Sequence, residues 1–298
     1  MFVNDADAVL FYSRSWIYFK IGEISIKDVP KTRNRDQQYV FVTNEPPNLT
    51  LLDLKLVPFG FFNLTMTYRL DSDIPYVYDR FEKITFDTPS SQRYDWSEVE
   101  EAVSQKTKSI LQLTTNCRTL SRREAYVEKL KQFISVTQKG RCFQHLCSVW
   151  EEEQEIVPIV LKDSIYRTIA PPNSYIAADN FSSPEQLAKY LKHLEEDHNE
   201  YIKYFEWRRT YKRVKRQPIV CDLCKFLHQK KKFQKIYENI YEWWIENATC
   251  HDDYGIIINS KNSTHQRIQQ PTANADPRIN SRYLQKTYGA VDNILFHL

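Results

Sequence analysis

The chain has 298 residues, 42% hydrophobic and 14% aromatic, which suits one large domain or two medium ones. Its formal net charge is only +3, so the composition gives no reason to expect a nucleic-acid partner. It contains 5 glycines and none of the glycine-rich loops that bind phosphates, and it shows neither a signal peptide nor an apolar run long enough to cross a membrane.

Two residue types bear on the compartment of the protein. Five Asn-x-Ser/Thr sequons favour the secretory lumen, and they lie at Asn48, Asn63, Asn180, Asn247 and Asn262. Six cysteines leave disulfides, zinc binding and free thiols open. Either an anchoring segment is missing from this sequence, or the protein is cytosolic and the sequons are unused.

The N-terminal part is predicted to be rich in strands. Val9–Tyr12 and Tyr39–Thr43 read as short buried strands bounded by polar loops. Asp95 and Ser97 can cap a short helix. The next predicted strand is Ser109–Thr114, so we expect a seam between two parts of the chain near residues 106–109.

The C-terminal part shows strand–loop–helix units, which are typical of α/β proteins. After the strand at 109–114, Ser121 and Glu124 form a capping-box pattern at the start of a predicted helix. A second unit combines predicted strands at 156–161 and 174–178 with a helix that opens at Ser183 and Pro184.

Later segments are predicted to be helical and then irregular. Apolar residues from Phe233 to Ile245 repeat at helical spacing, and the basic run 208–216 is expected to form the polar side of a helix. The tail 251–298 is polar and is expected to be mostly irregular.

Glu45 follows a predicted buried strand in the stretch TNEPPN. In open α/β sheets, ligand chemistry gathers at the carboxyl ends of strands, so a carboxylate in this stiff loop can act as a general base. A lone loop glutamate is, however, more often simply solvated.

Two further groups of charged residues are candidates for binding. Arg123 lies in the first turn of its predicted helix, where a diphosphate would meet backbone N–H groups, the helix dipole and a guanidinium. Arg69, Asp71 and Asp73 alternate along the chain and so would share one face of a strand or converge in a loop. Each group can equally be an ordinary solvated surface.

The C-terminal cysteines have two interpretations. Cys221, Cys224 and His228 have partial zinc-ligand spacing, which Cys250 and His251 could complete. In an oxidising lumen we expect disulfides from these cysteines instead, and the disulfide candidates are Cys142, Cys147, Cys221, Cys224 and Cys250.

A series of segments in fixed order resembles the α-1,3-fucosyltransferases of animals. They are YVFVTNEPPN, FNLTMTYRLDSDI, NCRTLSRREAYVEKL, IVPIVL, IAPPNSYI, FSSPEQLAKYLKHL, YFEWRRTYKRV and CDLCKFLH. The resemblance covers the chain from about Ala6 to Cys250, and the tail after Cys250 lies outside it.

The resemblance implies an inverting glycosyltransferase of the GT-B fold class, α/β with two Rossmann-like domains facing a cleft. It implies an acceptor-side domain at 1–107, truncated at its start, a GDP-fucose-binding domain at 108–250 and a tail at 251–298. Glu45 matches the family's base and Arg123 its diphosphate-binding arginine, while Tyr68, Arg69, Asp71 and Asp73 lie in the acceptor-side signature.

The stretch Glu151–Leu161, EEEQEIVPIVL, departs from the family pattern. Before this strand the family carries a strand and helix with the pattern FENS-x-x-x-DY-x-TEK, whose glutamates and lysine hold the fucose and the diphosphate. A unit of roughly 30 residues is therefore expected to be missing near 150–155, which leaves the second domain incomplete. Because the diphosphate loses a charge clamp, we expect little or no fucose transfer.

The resemblance thus predicts transfer of fucose from GDP-fucose to an N-acetylglucosamine-containing glycan in the Golgi lumen. The alternative is an inactive splice form or truncated relative that binds glycan or partners without transfer. The family's chemistry needs no metal, although this sequence leaves a divalent-metal dependence open. Family members are membrane-anchored, and the anchor, the stem and the first part of the N-terminal domain are expected to be absent here.

Overall fold

The computed structural model describes residues 6–12, 37–47, 50, 54–77, 79–106, 110–114, 116–144, 156–215, 219–229, 235–248 and 250–260. Helices and strands are mixed throughout, so the α/β class is confirmed. The predictions for Asn48, Cys147, Asn262, the junction at 150–155 and the tail from 261 onwards lie outside these residues.

The strands and helices follow one another in α/β fashion. The strands are β1 (Ala8–Tyr12), β2 (Gln38–Thr43), β3 (Leu64–Thr67), β4 (Asp79–Lys83), β5 (Leu111–Leu113), β6 (Thr137–Lys139), β7 (Ile159–Val160), β8 (Ile176–Ala177) and β9 (Tyr211–Lys215). The α-helices are α1 (Trp96–Ser104), α2 (Arg123–Leu130), α3 (Asp163–Tyr166), α4 (Pro184–Glu196), α5 (His198–Ile202), α6 (Ile219–Gln229), α7 (Ile240–Trp244) and α8 (Tyr254–Asn259). In the described part of the chain, no helix is long and apolar enough to cross a membrane.

The described residues form two compact units. One contains those up to Arg80 and those from Lys215 to Cys250, and the other contains Phe81–Val214 and the residues from His251 onwards. The first unit ends before the predicted boundary at 107, because the chain beyond Arg80 pairs with the β9 region: the Ile84 N–H donates to the Thr210 carbonyl at 2.8 Å.

The first unit is built on a parallel sheet of three strands, in the order β1-β2-β3. Successive residues of β2 face opposite sides of this sheet. Phe41 packs with an aromatic cluster that includes Trp244, while Val40 and Val42 pack with Leu64 on the other side. Both sides of the strand are buried, and its central residues, Tyr39–Val42, are hydrophobic, as expected of a parallel sheet.

The second unit has one large apolar core. It includes Ile110, which directly precedes β5, Ile159 of β7, and the buried side of α4. β5 pairs in parallel with β6, and β7 pairs in parallel with β8. The predicted start of α4 is confirmed, since Ser183 caps the helix by accepting from the Gln186 N–H and proline occupies the first turn. The Asp95 cap of α1 is also confirmed.

Several predicted elements differ in the structure. The basic run is not one helix: Arg208 and Arg209 end a 3₁₀ helix at Lys203–Arg209, and Tyr211–Lys215 form strand β9, which pairs with β4. The predicted helix at 233–245 shortens to α7, because the Tyr237 N–H donates to the Phe62 carbonyl at 2.8 Å in a β-bridge instead. The tail is predicted to be mostly irregular, and within its described part, 251–260, Tyr254–Asn259 form helix α8, which packs on α2.

Candidate functional site

In the first unit, polar side chains gather where the parallel strands end. β1, β2 and β3 run in the same direction, so their carboxyl ends, at Tyr12, Thr43 and Thr67, lie at the same edge of the sheet. The Tyr12 hydroxyl donates to the Asn44 side-chain oxygen at 2.9 Å across this edge. This is the edge at which ligands bind in open α/β sheets.

Glu45 lies in the loop that leaves β2 at this edge. Its backbone N–H donates to the Thr43 hydroxyl at 3.2 Å, and Thr43 itself is fully buried. The Glu45 side chain is half-buried, and among the described residues none forms a hydrogen bond or ion pair with its carboxylate. The loop thus fixes the backbone of Glu45 and leaves its carboxylate available to accept a proton.

Arg69 and Asp71 form an internal ion pair beyond the end of β3. The guanidinium is only 4% exposed and donates to both Asp71 carboxylate oxygens, at 2.8 and 2.6 Å. It also donates to the Trp243 carbonyl at 2.5 Å and lies over the Trp243 ring, 4.3 Å from the centroid. This pair therefore ties the loop to the end of α7. Neighbouring Tyr68 packs edge-on against Trp244.

Asp73 is also occupied internally. Its carboxylate accepts from the Thr65 N–H at 2.9 Å, from the Tyr237 hydroxyl at 2.8 Å and from Lys235 Nζ at 2.6 Å. Burial lowers the pKa of Lys235, but its hydrogen bonds to Asp73 and Tyr237 outweigh that and raise the pKa above its ordinary value. Of the three residues expected to share a strand face or to converge in a loop, Arg69 and Asp71 come together, while Asp73 binds other partners.

In the second unit, Arg123 opens α2 and is 8% exposed. Its guanidinium donates to the Thr114 hydroxyl at 2.9 Å and to the Asn116 carbonyl at 3.3 Å. The predicted capping box is wrong. Arg122 occupies the N-cap position with a φ of 55° and makes no side-chain cap, while Glu124 accepts from the Thr119 hydroxyl at 2.8 Å. Arg123 and Glu124 therefore both order the loop that precedes α2.

The segment His251–Gly255 connects this loop with the loop that follows β7; we call it the C-terminal strap. The Asp253 and Gly255 N–H groups donate to the carbonyls of Leu120 and Ser121, both at 2.7 Å. A β-carbon on Gly255 would lie 2.4 Å from the Arg122 carbonyl oxygen, so the close approach requires glycine.

On its other side, the C-terminal strap contacts charged residues beyond β7 and β8. The Tyr254 hydroxyl donates to Asp179 at 2.9 Å, and His251 Nε2 lies 2.6 Å from Lys162 Nζ. Burial and the neighbouring ammonium of Lys162 lower the pKa of His251 below its ordinary value. Burial also lowers the pKa of Lys162, although the Asp179 carboxylate opposes that shift. Sequence reasoning missed Lys162, even though its place directly after a predicted strand is the signal used for Glu45.

The cysteines are only partly as predicted. Cys142 forms a disulfide with Cys117, which was not among the candidates. Disulfides at Cys221 and Cys224 are wrong for this structure: both are exposed free thiols on α6, and Cys224 Sγ lies 3.6 Å from His228 Nδ1. Cys250 is exposed. Within the described ranges, no three His, Cys, Asp or Glu side chains are placed to hold a metal ion.

Three sequons fall on described residues. Asn180 is exposed and Asn247 is half-buried. Asn63 is only 6% exposed; its side-chain oxygen accepts from the Tyr39 N–H at 2.9 Å and its amide donates to the Lys235 carbonyl at 3.2 Å. In the folded chain this amide is therefore part of the core of the first unit.

The sequence matches two family models. The fucosyltransferase N-terminal domain matches residues 1–79. The C-terminal domain of glycosyltransferase family 10 (fucosyltransferase) matches in two pieces, residues 103–155 and 149–243. The two pieces meet around 149–155, where the sequence departs from the pattern expected of the family.

Curated fucosyltransferases are similar to this chain over most of its length. Alpha-(1,3)-fucosyltransferase C of Drosophila melanogaster is 31% identical over 81% of this chain and 66% of the relative. Alpha-(1,3)-fucosyltransferase fut-5 of Caenorhabditis elegans is 29% identical over 84% and 74%. The human 4-galactosyl-N-acetylglucosaminide 3-alpha-L-fucosyltransferase FUT5 is 28% identical over 80% and 69%. The chain thus spans about two thirds to three quarters of the length of these relatives. Since the two family models together match well over half of the sequence, the chain belongs to glycosyltransferase family 10, the fucosyltransferases.

Proposed function

We propose that the chain is an α-1,3-fucosyltransferase-type glycosyltransferase, with GDP-fucose as donor and an N-acetylglucosamine-containing glycan as acceptor. Family membership and the three relatives support the reaction class. The proposal includes the GT-B arrangement of two Rossmann-like domains, a lumenal Golgi location, association with the Golgi membrane as in the family, and chemistry without a resident cofactor.

The observation that carries this proposal is the setting of Glu45. A general base needs a carboxylate at the ligand-binding edge of the sheet, with a fixed backbone and no competing partner. Glu45 meets these conditions among the described residues. Asp71 and Asp73 do not, because their carboxylates already accept hydrogen bonds from Arg69 and Lys235. The Glu45 carboxylate takes the proton of the acceptor hydroxyl as that oxygen bonds to the anomeric carbon of fucose. The bond from that carbon to the diphosphate breaks, and GDP leaves with its electron pair.

Arg123 has a supporting role in this proposal. Its guanidinium orders the loop between β5 and α2, so the N–H groups of that loop and of the first helical turn are held in place. Such groups bind a diphosphate favourably, since they combine hydrogen bonds with the positive end of the helix dipole. A contact between Arg123 itself and the donor requires the guanidinium to exchange its bonds to Thr114 and Asn116.

A second candidate, an inactive relative, is favoured by the two-piece match to the C-terminal family model at 149–155. If the strand–helix unit with the family's donor-binding glutamates and lysine is absent, the leaving diphosphate lacks a cation there. We therefore expect this chain to transfer fucose very poorly. Sequencing the natural transcript across codons 142–165 tells whether a longer form restores the unit.

The test of the active form compares the chain with its Glu45→Gln variant, measuring GDP release and the anomeric configuration of the product by NMR. Glu101→Gln, an exposed glutamate on α1, is the matched control. Transfer by the parent chain clearly above a sample without protein shows that the chain is active and excludes the inactive form. If the parent chain is active and Glu45→Gln does not lower its rate by about 100-fold or more, Glu45 is not the base.

A further inference from the structure

The second unit contains a cavity that the proposed reaction does not use. Its volume is about 280 Å³, just below the roughly 300–1,000 Å³ of pockets that take drug-sized ligands. Its walls come from the loop before β8, the turn after β8, and the facing sides of α4 and the helical turn at 203–209. The lining residues are Asp163, Asn173, Tyr175, Ile176, Ala177, Asn180, Phe181, Tyr190 and Tyr204.

Two asparagines line this cavity, and Asn173 offers an unused amide to it even where Asn180 carries a glycan. Among the described residues, no hydrogen bond forms to the side chain of Asn173 or of Asn180, and both residues are exposed. Asn173 has a φ of 57° and lies in a turn closed by the Ser174 N–H and hydroxyl, which both donate to the Pro171 carbonyl. The turn fixes the backbone of Asn173, so the position of its amide needs little reorganisation for binding.

The aromatic wall offers ring surface and one spare hydroxyl donor. The hydroxyls of Tyr190 and Tyr204 lie 2.6 Å apart. Since their mutual bond uses only one of the two O–H groups, the other remains to donate elsewhere. Burial and this hydrogen bond raise the pKa of Tyr204, so it stays neutral at physiological pH. The Phe181 and Tyr190 rings, 5.4 Å apart, add apolar surface beside these polar groups.

The charges around the cavity favour a neutral ligand. Asp163 accepts from the Tyr175 hydroxyl at 2.9 Å and is ion-paired with Arg167, so its charge is already matched. The lining residues include no lysine or arginine, so an anion would find no cationic partner among them. A nucleoside diphosphate therefore does not fit this chemistry.

We infer that this cavity binds a neutral pyranose, either as a free sugar or as one unit of a glycan. Such a ring presents hydroxyls that both donate and accept, which amides and phenols match. It also presents a C–H face that the negative face of an aromatic ring attracts. This site is separate from fucosyl transfer, and its test does not depend on any transfer.

The experiment is saturation-transfer NMR on the full chain, produced in a host without N-glycosylation so that Asn180 stays unmodified. The probes are methyl β-D-galactopyranoside and methyl N-acetyl-β-D-glucosaminide, with glucuronic acid as the anionic counterpart. A disaccharide that joins galactose to N-acetylglucosamine tests whether the ligand is a free sugar or one unit of a glycan. Only a site for a glycan binds this disaccharide more tightly than the single sugars. We expect signals from at least one neutral glycoside and none from glucuronic acid.

Three variants test the location of the site. Asn173→Gly keeps the positive φ, Asn180→Ala removes the second amide, and Tyr190→Phe removes one phenol. Each is expected to weaken binding roughly fivefold, the effect of one lost hydrogen bond. Asn199→Ala, an exposed asparagine outside the cavity, is expected to leave binding unchanged. Thermal melting of each variant verifies that it folds.

Three results would overturn the inference: no signal from either neutral glycoside, unchanged binding in all three cavity variants, or displacement of the sugar by GDP. Displacement by GDP would mean that the sugar occupies a donor site. Loss of fucose transfer in the Glu45→Gln variant does not bear on this outcome, so the two proposals can fail separately.

Discussion

At the scale of single residues, Arg69 combines an ion pair, a carbonyl contact and a cation–π contact in a buried position. Removing it leaves the Asp71 carboxylate and the Trp243 carbonyl without their donor. We expect Arg69→Ala to lower the free energy of unfolding by about 3–5 kcal/mol, measured by urea denaturation. Arg69→Lys keeps the charge but loses the paired geometry, so a partial loss is expected.

The matched control for Arg69 is Arg167→Ala. Arg167 also pairs with an aspartate, but its side chain is 74% exposed, so we expect a loss of about 1 kcal/mol or less. If the two alanine variants lose equal stability, burial is not what makes the Arg69 pair important.

Asn63 and Asn180 each begin an Asn-x-Ser/Thr sequon, but they lie in opposite settings. Asn180 is exposed, whereas Asn63 bonds to the backbone in the core. In chain secreted from an N-glycosylating host, we expect glycan on Asn180 and none on Asn63, read by mass spectrometry of peptides. Asn63→Gln is expected to lower the free energy of unfolding by about 1–3 kcal/mol, and Asn180→Gln to leave it nearly unchanged. A glycan on folded Asn63 would contradict this burial.

At the scale of elements, His251 gives the C-terminal strap a pH dependence. Its pKa is lowered from 6.5 in the folded chain, so the unfolded chain binds more protons in the window just below that value. Stability is therefore full above about pH 7 and falls as the pH drops through 6.5. The groups that face His251 are Lys162, Tyr254 and, beyond them, Asp179.

We expect His251→Gln to flatten this dependence between about pH 7 and pH 5. The measurement is the melting temperature as a function of pH, with His193→Gln as the control, because His193 lies on exposed α4 surface. An equal slope in the parent and the His251→Gln variant would show that this histidine does not carry the dependence.

The elements show what the sequence pattern can and cannot predict. Strand β2 and helix α4 follow from local signals, namely an apolar run and a Ser-Pro start, and both form. The Glu124 capping box fails because the Thr119 hydroxyl and N–H compete for the same carboxylate. The helical pattern at 233–245 breaks because Tyr237 pairs with Phe62, a partner that is distant in sequence.

The same limit applies to the candidate site. Glu45 could be predicted because its position depends on one strand and the loop that follows it. The bonds from Arg69 to Trp243 and from Lys235 to Asp73 could not, because each joins residues more than 150 positions apart in the chain. The role of the C-terminal strap is likewise a long-range contact without a sequence motif.

At the scale of the whole molecule, the proposed transfer needs both the base, Glu45, and the family's donor-binding glutamates and lysine. The segment around 150–155 is where those donor-binding residues are expected to be missing. We expect that inserting a strand–helix segment with the family pattern FENS-x-x-x-DY-x-TEK between Trp150 and Glu155 raises fucose transfer strongly over the parent chain. The measurement is GDP release with acceptor present. The added rate should disappear in the same insertion carrying Glu45→Gln, and a rate that survives that substitution contradicts the assigned base.

Trp244 and Phe41 pack together although they are about two hundred residues apart in sequence. A ribosome therefore releases the β-sheet of the first unit well before the helix that covers its aromatic side. At roughly 5–20 residues per second, the delay is on the order of 10–40 s. During that time the nascent sheet exposes phenylalanine and tyrosine rings to the lumen or cytosol. A chaperone that binds the nascent chain is therefore needed during this period.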